Sequence, residues 1–137
     1  MSYSPALIHW LLGKAFLNED FAVRTPYLSL HNGDPGRFGA FEVSGGGYKR
    51  QAVPFAWVTD DVIQNTEMLN FLGMPEVEVG YLGLWDAPQG GTFMLGSYLT
   101  ELQTTEGGLK QVPVTKRTNN GDPFQVPAGW LLIRMGG

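Results

Sequence analysis

Residues 42–53 read EVSGGGYKRQAV, three consecutive glycines between a short apolar–polar run and a Tyr-Lys-Arg-Gln run. The reading of this stretch decides the fold class. A phosphate-cradling loop needs its glycines followed by Lys and then Ser or Thr at the mouth of a helix. Here Lys49 is followed by Arg50, and the residues beyond alternate as a strand does. A dinucleotide fingerprint fails for the same reason, since no helix follows the glycines. The run therefore reads as a reversal between two strands. With Gly46 at the centre and Gly45 and Gly47 beside it, Ser44 faces Tyr48 and Glu42 faces Arg50 across a hairpin. Opposed residues of opposite charge suit that register. As an exposed pair, Glu42 and Arg50 are expected to contribute about 0.2–1 kcal/mol.

Working outward, period-two alternation dominates. Val53, Phe55 and Trp57 are expected on one face, as are Leu28 and Leu30, and then Phe93, Leu95 and Leu99. VGYLGLW (79–85) is apolar on both faces, as a central strand is, and its Gly80 and Gly83 leave room for a close neighbour. HNGDPG (31–36) is a turn, with Gly33 expected to tolerate positive φ and Pro35 fixing its own φ. NGDP returns at 120–123, and DAPQGG (86–91) is a third turn. One segment differs. Residues 5–18 carry Leu7, Ile8, Leu11, Leu12, Ala15 and Phe16 at three- and four-residue steps, which predicts a helix capped by Ser4, started by Pro5 and stopped at Asn18. One helix and seven or eight short strands, with no strand–helix alternation, predict a mainly β fold. The expected architecture is a single antiparallel β-sandwich domain over 1–137, jelly-roll or Ig-like, with one N-terminal helix and an extended loop or arm at about 101–118. A small barrel is the alternative closure.

Composition narrows the function. Of 137 residues 16% are charged and 19 are Gly, against usual shares of about 25% and about 7%. Many glycines suit tight turns, and few charges suit a surface that meets other protein. The net charge of -4 and only two basic pairs, Lys49-Arg50 and Lys116-Arg117, oppose nucleic-acid binding. There is no Cys, so disulfides and thiolate metal sites are excluded. The N-terminal stretch lacks a basic region ahead of an uninterrupted apolar run, and nothing approaches the roughly 20 apolar residues of a membrane span. A soluble protein made in the cytoplasm, with no membrane partner, is expected.

No catalytic constellation stands out. His9 and His31 have no further residues at metal-ligand spacing. The acids Glu19-Asp20, Asp60-Asp61 and Glu76 with Glu78 fall at loops and strand margins, where solvation and edge protection explain them. The two NGDP turns are too short for a calcium loop. No cofactor, metal or catalytic residue is expected. Of the many aromatics, Tyr48 and Tyr81 are the candidates for partial exposure, where a sugar ring would stack.

YLSLHNGDPG, EVSGGGYKRQAV, YLGLWDAPQGG and NNGDPFQVPAGWLLI occur in this order. The series resembles a family of short bacteriophage virion proteins usually labelled tail fibre proteins, over roughly residues 5 to 135. In that family a helix precedes a strand with an Asp-Pro-Gly turn, then a Glu-Val-Ser-Gly-Gly-Gly-Tyr-x-Arg-Gln block, then a Gly-Leu/Ile-Trp/Phe-Asp-Ala block. The resemblance implies a non-enzymatic structural component of the virion, tail-associated as a fibre or minor tail protein. Its partners would be other virion proteins and copies of itself, in small oligomers such as trimers. Leu7 and Leu11 of the helix and Lys116 and Arg117 of the arm are the expected subunit contacts. Two alternatives stand: a decoration (cement) protein of the phage head, and a carbohydrate-binding module for host surface glycans.

Overall fold

The computed structural model describes residues 2–18 and 25–134. Glu19, Asp20 and Met135 lie outside them. In chain order the elements are β1 (Ser2–Tyr3), α1 (Pro5–Phe16), β2 (Tyr27–His31), β3 (Gln51–Ala52), β4 (Phe55–Thr59), β5 (Val62–Asn65), β6 (Leu69–Phe71) and β7 (Val77–Val79). Then come β8 (Tyr81–Trp85), β9 (Phe93–Tyr98), β10 (Thr100–Thr105), β11 (Gly108–Pro113), β12 (Lys116–Thr118), β13 (Phe124–Val126) and β14 (Leu132–Arg134).

The helix begins where the sequence places it. The Ser4 hydroxyl accepts the Leu7 N–H at 3.1 Å and Pro5 opens the first turn, so an otherwise orphan donor is satisfied. It ends at Phe16, and Asn18 follows in the left-handed region with φ 55, a conformation asparagine tolerates better than most residues.

The largest sheet has the order β1-β9-β8-β2-β3, every pair antiparallel. β14-β5-β4 form a second sheet, and β6 with β13, β7 with β12 and β10 with β11 make two-stranded ones. The arrangement is sandwich-like and antiparallel, not a barrel. Leu28, Leu30, Leu82, Leu84 and Leu95 of the large sheet share one core with Leu69, Phe71, Val79, Phe124 and Val126 of the short pairs. Phe71 is fully buried and meets Phe124 edge to face at 6.3 Å between centroids. Burying such a side chain stabilises by about 1.5–3 kcal/mol.

Three expectations change. VGYLGLW is not one strand. The chain leaves β7, paired with β12, and enters β8, paired with β2 and β9. It changes sheets at Gly80, whose N–H reaches the His31 carbonyl and whose carbonyl accepts the Leu99 N–H. Such changes between sheets break the expected seven or eight strands into fourteen described segments. Trp57 does not share a face in the core with Val53. It is 74% exposed, because β4 is the outer strand of its sheet and the register shifts between Trp57 and Thr59. Gly33 is not at positive φ. Gly36 is, at 60°, while a side chain at Gly33 would meet the Phe41 ring at 2.9 Å.

Candidate functional site

The glycine block does not build the predicted hairpin. Glu42 forms a backbone bridge with His31, and no strand ladder joins 42–44 to 48–50. Instead the three glycines lie against the loop before Pro75. The Gly47 N–H donates to the Gly73 carbonyl at 2.6 Å, and the Tyr48 N–H donates to the Gly45 carbonyl at 3.2 Å. Gly45 and Gly46 have φ 104 and 56. A Cβ on Gly46 would sit 2.6 Å from the Gly73 carbonyl oxygen. These glycines allow two stretches of backbone to touch, and the N–H of Gly47 that a phosphate would need is already bonded.

Glu42 and Arg50 nevertheless meet, side chain to side chain. Arg50 Nε and Nη2 each donate to a Glu42 carboxylate oxygen at 2.9 Å, a bidentate fork. The pair is not the exposed one the sequence suggested: the Arg50 and Glu42 side chains are 7% and 22% exposed. Arg50 Nη1 donates to the carbonyls of Ala87 and Gly90 at 3.0 and 2.8 Å, and the guanidinium lies 3.8 Å from the centre of the Trp85 ring. The arginine thus clamps the 86–91 turn onto the glycine block through four hydrogen bonds from one planar fork.

Tyr48 completes the cluster. Its hydroxyl donates to Glu42 Oε2 at 2.7 Å and accepts the Leu30 N–H at 3.1 Å, and its ring stacks on Phe71. Burial first, and then the hydrogen bond to Glu42 and its charge, raise its pKa far above the ordinary tyrosine value, against the lowering effects of the Leu30 N–H and Arg50. Both faces of its polar tip are therefore committed inside the fold. Tyr48 is partly exposed, as expected, but its hydroxyl already has two partners within the fold.

Next to this cluster lies a second one that the sequence did not announce. Trp85 Nε1 donates to Ser29 Oγ at 2.8 Å, Ser29 Oγ lies 2.6 Å from His31 Nε2, and His31 Nδ1 lies 2.7 Å from the Ala40 carbonyl. The carbonyl requires Nδ1 to carry the proton, so the serine donates to Nε2. Gly83 makes room for the pair, since a Cβ there would meet Ser29 Oγ at 2.6 Å. Burial lowers the His31 pKa, against the raising effects of the Ala40 carbonyl and Glu42. A Ser–His contact resembles a nucleophile with its base, but both residues are fully buried and the histidine's other nitrogen is held by a carbonyl. The cluster fastens loop 32–43 to β2 and β8. Only its partner spacing marks it, and a two-residue Ser-Leu-His step carries no chemical signature in sequence.

The remaining residues singled out by sequence stand apart. Leu7 packs partly on the core and Leu11 is half-buried, whereas Ile8, Leu12 and Phe16 of the same helix are exposed, Phe16 by 79%. Lys116 lies 3.7 Å from Glu101 and over the Trp130 ring, and Arg117 pairs with Glu76. Asp61 accepts from Thr59 and sits 3.9 Å from Arg134. Among the described residues no group of three or more His, Cys, Asp or Glu is placed to hold a metal ion, and no helix is long and apolar enough to cross a membrane. An apolar cleft of about 200 Å³ opens between β8, β9 and residues 130–133, and neither an acid nor a histidine lines it. Tyr81 is half-buried and pairs with the more exposed Tyr98 at 5.2 Å, beside Asp34 and Ser97.

The architecture thus turns the Glu42, Arg50, Ser29 and His31 side chains to partners within the fold and leaves apolar and aromatic side chains exposed: Phe16, Phe38, Phe41, Trp57, Leu72 and Leu109 among them. A family model described as "Podophage GP4 fiber I protein gp80" matches residues 3–111. A comparison with curated proteins gives no match.

Proposed function

The chain belongs to the family of the podophage GP4 fiber I protein gp80, a tail-fibre-type protein of a phage, and from that premise we propose that it is a non-enzymatic structural part of the tail that works by packing against copies of itself and other virion proteins. The single observation that carries this reading is the family match across most of the chain. The geometry supports it. Glu42, Tyr48 and Arg50, the block with the most chemistry, spend their hydrogen-bonding capacity on internal partners. The helix turns Ile8, Leu12 and Phe16 to the outside, and apolar patches of that kind mark contact surfaces. Lys116 and Arg117, both exposed on β12, are further contacts in this reading.

The test is particle composition. Purified virions are separated into tails and emptied heads, and the chain is quantified by mass spectrometry. Recovery with the tails supports the proposal. Recovery with the heads, in numbers matching the shell lattice, identifies a decoration protein instead, and absence from particles overturns both.

A second reading rests on Tyr81 and Tyr98. Their paired rings, beside the Asp34 carboxylate and the Ser97 hydroxyl in a shallow cleft, offer a stacking plane and polar partners for a sugar on the host surface. Binding on a glycan array that disappears in Tyr98→Ala, with unchanged thermal stability, supports it; an array without signal removes it.

A further inference from the structure

β10 and β11 form the hairpin with the most residue pairs of any ladder in the described chain, six from Thr100↔Pro113 to Thr105↔Gly108. Its turn, Glu106-Gly107, has no positive φ of its own and is followed by Gly108 at φ 104, where a type I turn closed by a bulge places a glycine. Yet the hairpin is a sheet of two strands only, and the described side chains of β11 are exposed on both faces apart from half-buried Val112. A two-stranded hairpin without a covered face is marginal in water. Both outer edges present backbone N–H and C=O groups with no ladder partner among the described residues, a template for strand addition. Thr100, Thr104 and Thr105 give β10 a composition suited to a strand.

The charges choose the partner. Glu101 lies on β10 and Lys110 on β11. Because Glu101 opposes Val112 and Gln103 opposes Lys110, the period of two puts Glu101 and Lys110 on the same face. Pairing of β10 with another β10 gathers glutamates along one edge, and pairing of β11 with another β11 gathers lysines. Pairing of β11 with the β10 of a second copy sets Lys110 beside Glu101 and continues the antiparallel alternation.

We propose that this hairpin is an assembly arm that adds edge to edge to the hairpin of a neighbouring copy, head to tail, with β11 of one beside β10 of the next. This rests on the structural reading above and names its contact. A head-to-tail contact closes into a ring when its rotation permits, so each arm gains two neighbours and loses both free edges.

The test uses the full chain, with light scattering after gel filtration and hydrogen exchange over a concentration series. Association is expected, with amides of residues 100–113 slowing as concentration rises. Glu101→Lys and Lys110→Glu each turn an attraction into a repulsion and are expected to weaken association about tenfold. The double exchange restores it. The circular-dichroism spectrum and thermal melting of each single variant, expected to match those of the parent chain because both positions are surface sites, control for local folding. A chain that stays monomeric, an assembly whose 100–113 amides remain open, single variants without effect, or a double variant that does not recover would each overturn the proposal. If the chain is found in tails while these amides stay open, the arm is wrong and the structural role stands. If the chain is missing from particles, the role itself fails.

Discussion

At the scale of the residue, Arg50 holds most. It bonds one carboxylate twice and two carbonyls of a turn far away in sequence, and it covers an indole. Removing one partner of a buried ion pair leaves the other charge uncompensated and costs about 3–5 kcal/mol. Arg50→Ala is therefore expected to lower unfolding stability by about 3 kcal/mol in urea titration, the lower end because Glu42 keeps some solvent contact. Arg50→Lys is expected to recover less than half, since an ammonium cannot bond both carboxylate oxygens and both carbonyls. Two groups make the fold acid-sensitive. His31 is lowered from 6.5, chiefly by burial. Burial acts to raise Glu42, but hydrogen bonds from Arg50 and Tyr48 and the Arg50 charge outweigh it and leave the group below 4.5. In both cases the unfolded chain binds protons more readily than the native one, so stability is complete above the unfolded pKa and is lost as pH falls through the native value. Thermal unfolding is expected to be level just above pH 6.5, to decline below it as His31 must charge, and to decline again below 4.5. His31→Gln should remove the upper decline and keep the lower one; a profile that stays flat to pH 4.5 in the native chain contradicts this account. The sequence showed that Glu42 and Arg50 belong together. It did not show that Ala87, Gly90 and Trp85 complete their surroundings, because those contacts span 37 and 40 residues in the two hydrogen bonds alone.

At the scale of the element, the glycine run and the helix were legible to different depths. Ser4, Pro5 and the apolar stripe announced α1, and Ser4→Ala is expected to cost about 1 kcal/mol by removing the cap on Leu7, measured by chemical denaturation. That the glycines bend the chain rather than hold a phosphate was also legible, from the missing Ser or Thr and the missing helix. Their actual use was not. Close approach to Gly73 depends on a loop brought in by β6 and β13, and nothing local in EVSGGGYKRQAV specifies it. Gly46→Ala is expected to destabilise by about 2–3 kcal/mol, from a left-handed backbone and a Cβ 2.6 Å from a carbonyl oxygen. Gly90→Ala, with φ 60 but open space around it, is expected to cost about 1 kcal/mol. Equal losses at the two sites would show that close packing against Gly73 adds nothing.

At the scale of the whole molecule, the exposed apolar face of α1 is where the proposed packing role can be tested. Leu12→Ser with Phe16→Ser changes exposed residues and is expected to shift unfolding stability by no more than about 0.5 kcal/mol per site, while lowering incorporation into particles. A large loss of stability would mean that this helix face serves the fold instead. The sequence by itself determined the class of this protein: a mainly β, antiparallel chain with one capped helix, without thiols, and with a block whose residues resemble a phage family. Those are properties of periodicity, turn chemistry and local capping, which depend on near neighbours. Only the tertiary structure decided which sheet each strand joins, that Trp57 faces water, that the Tyr48 hydroxyl is bonded within the fold, and that the β10–β11 hairpin has no further ladder partner among the described residues. Such outcomes follow from which distant segments compete for the same edge or the same volume, and alternation along a strand is the same whichever neighbour wins.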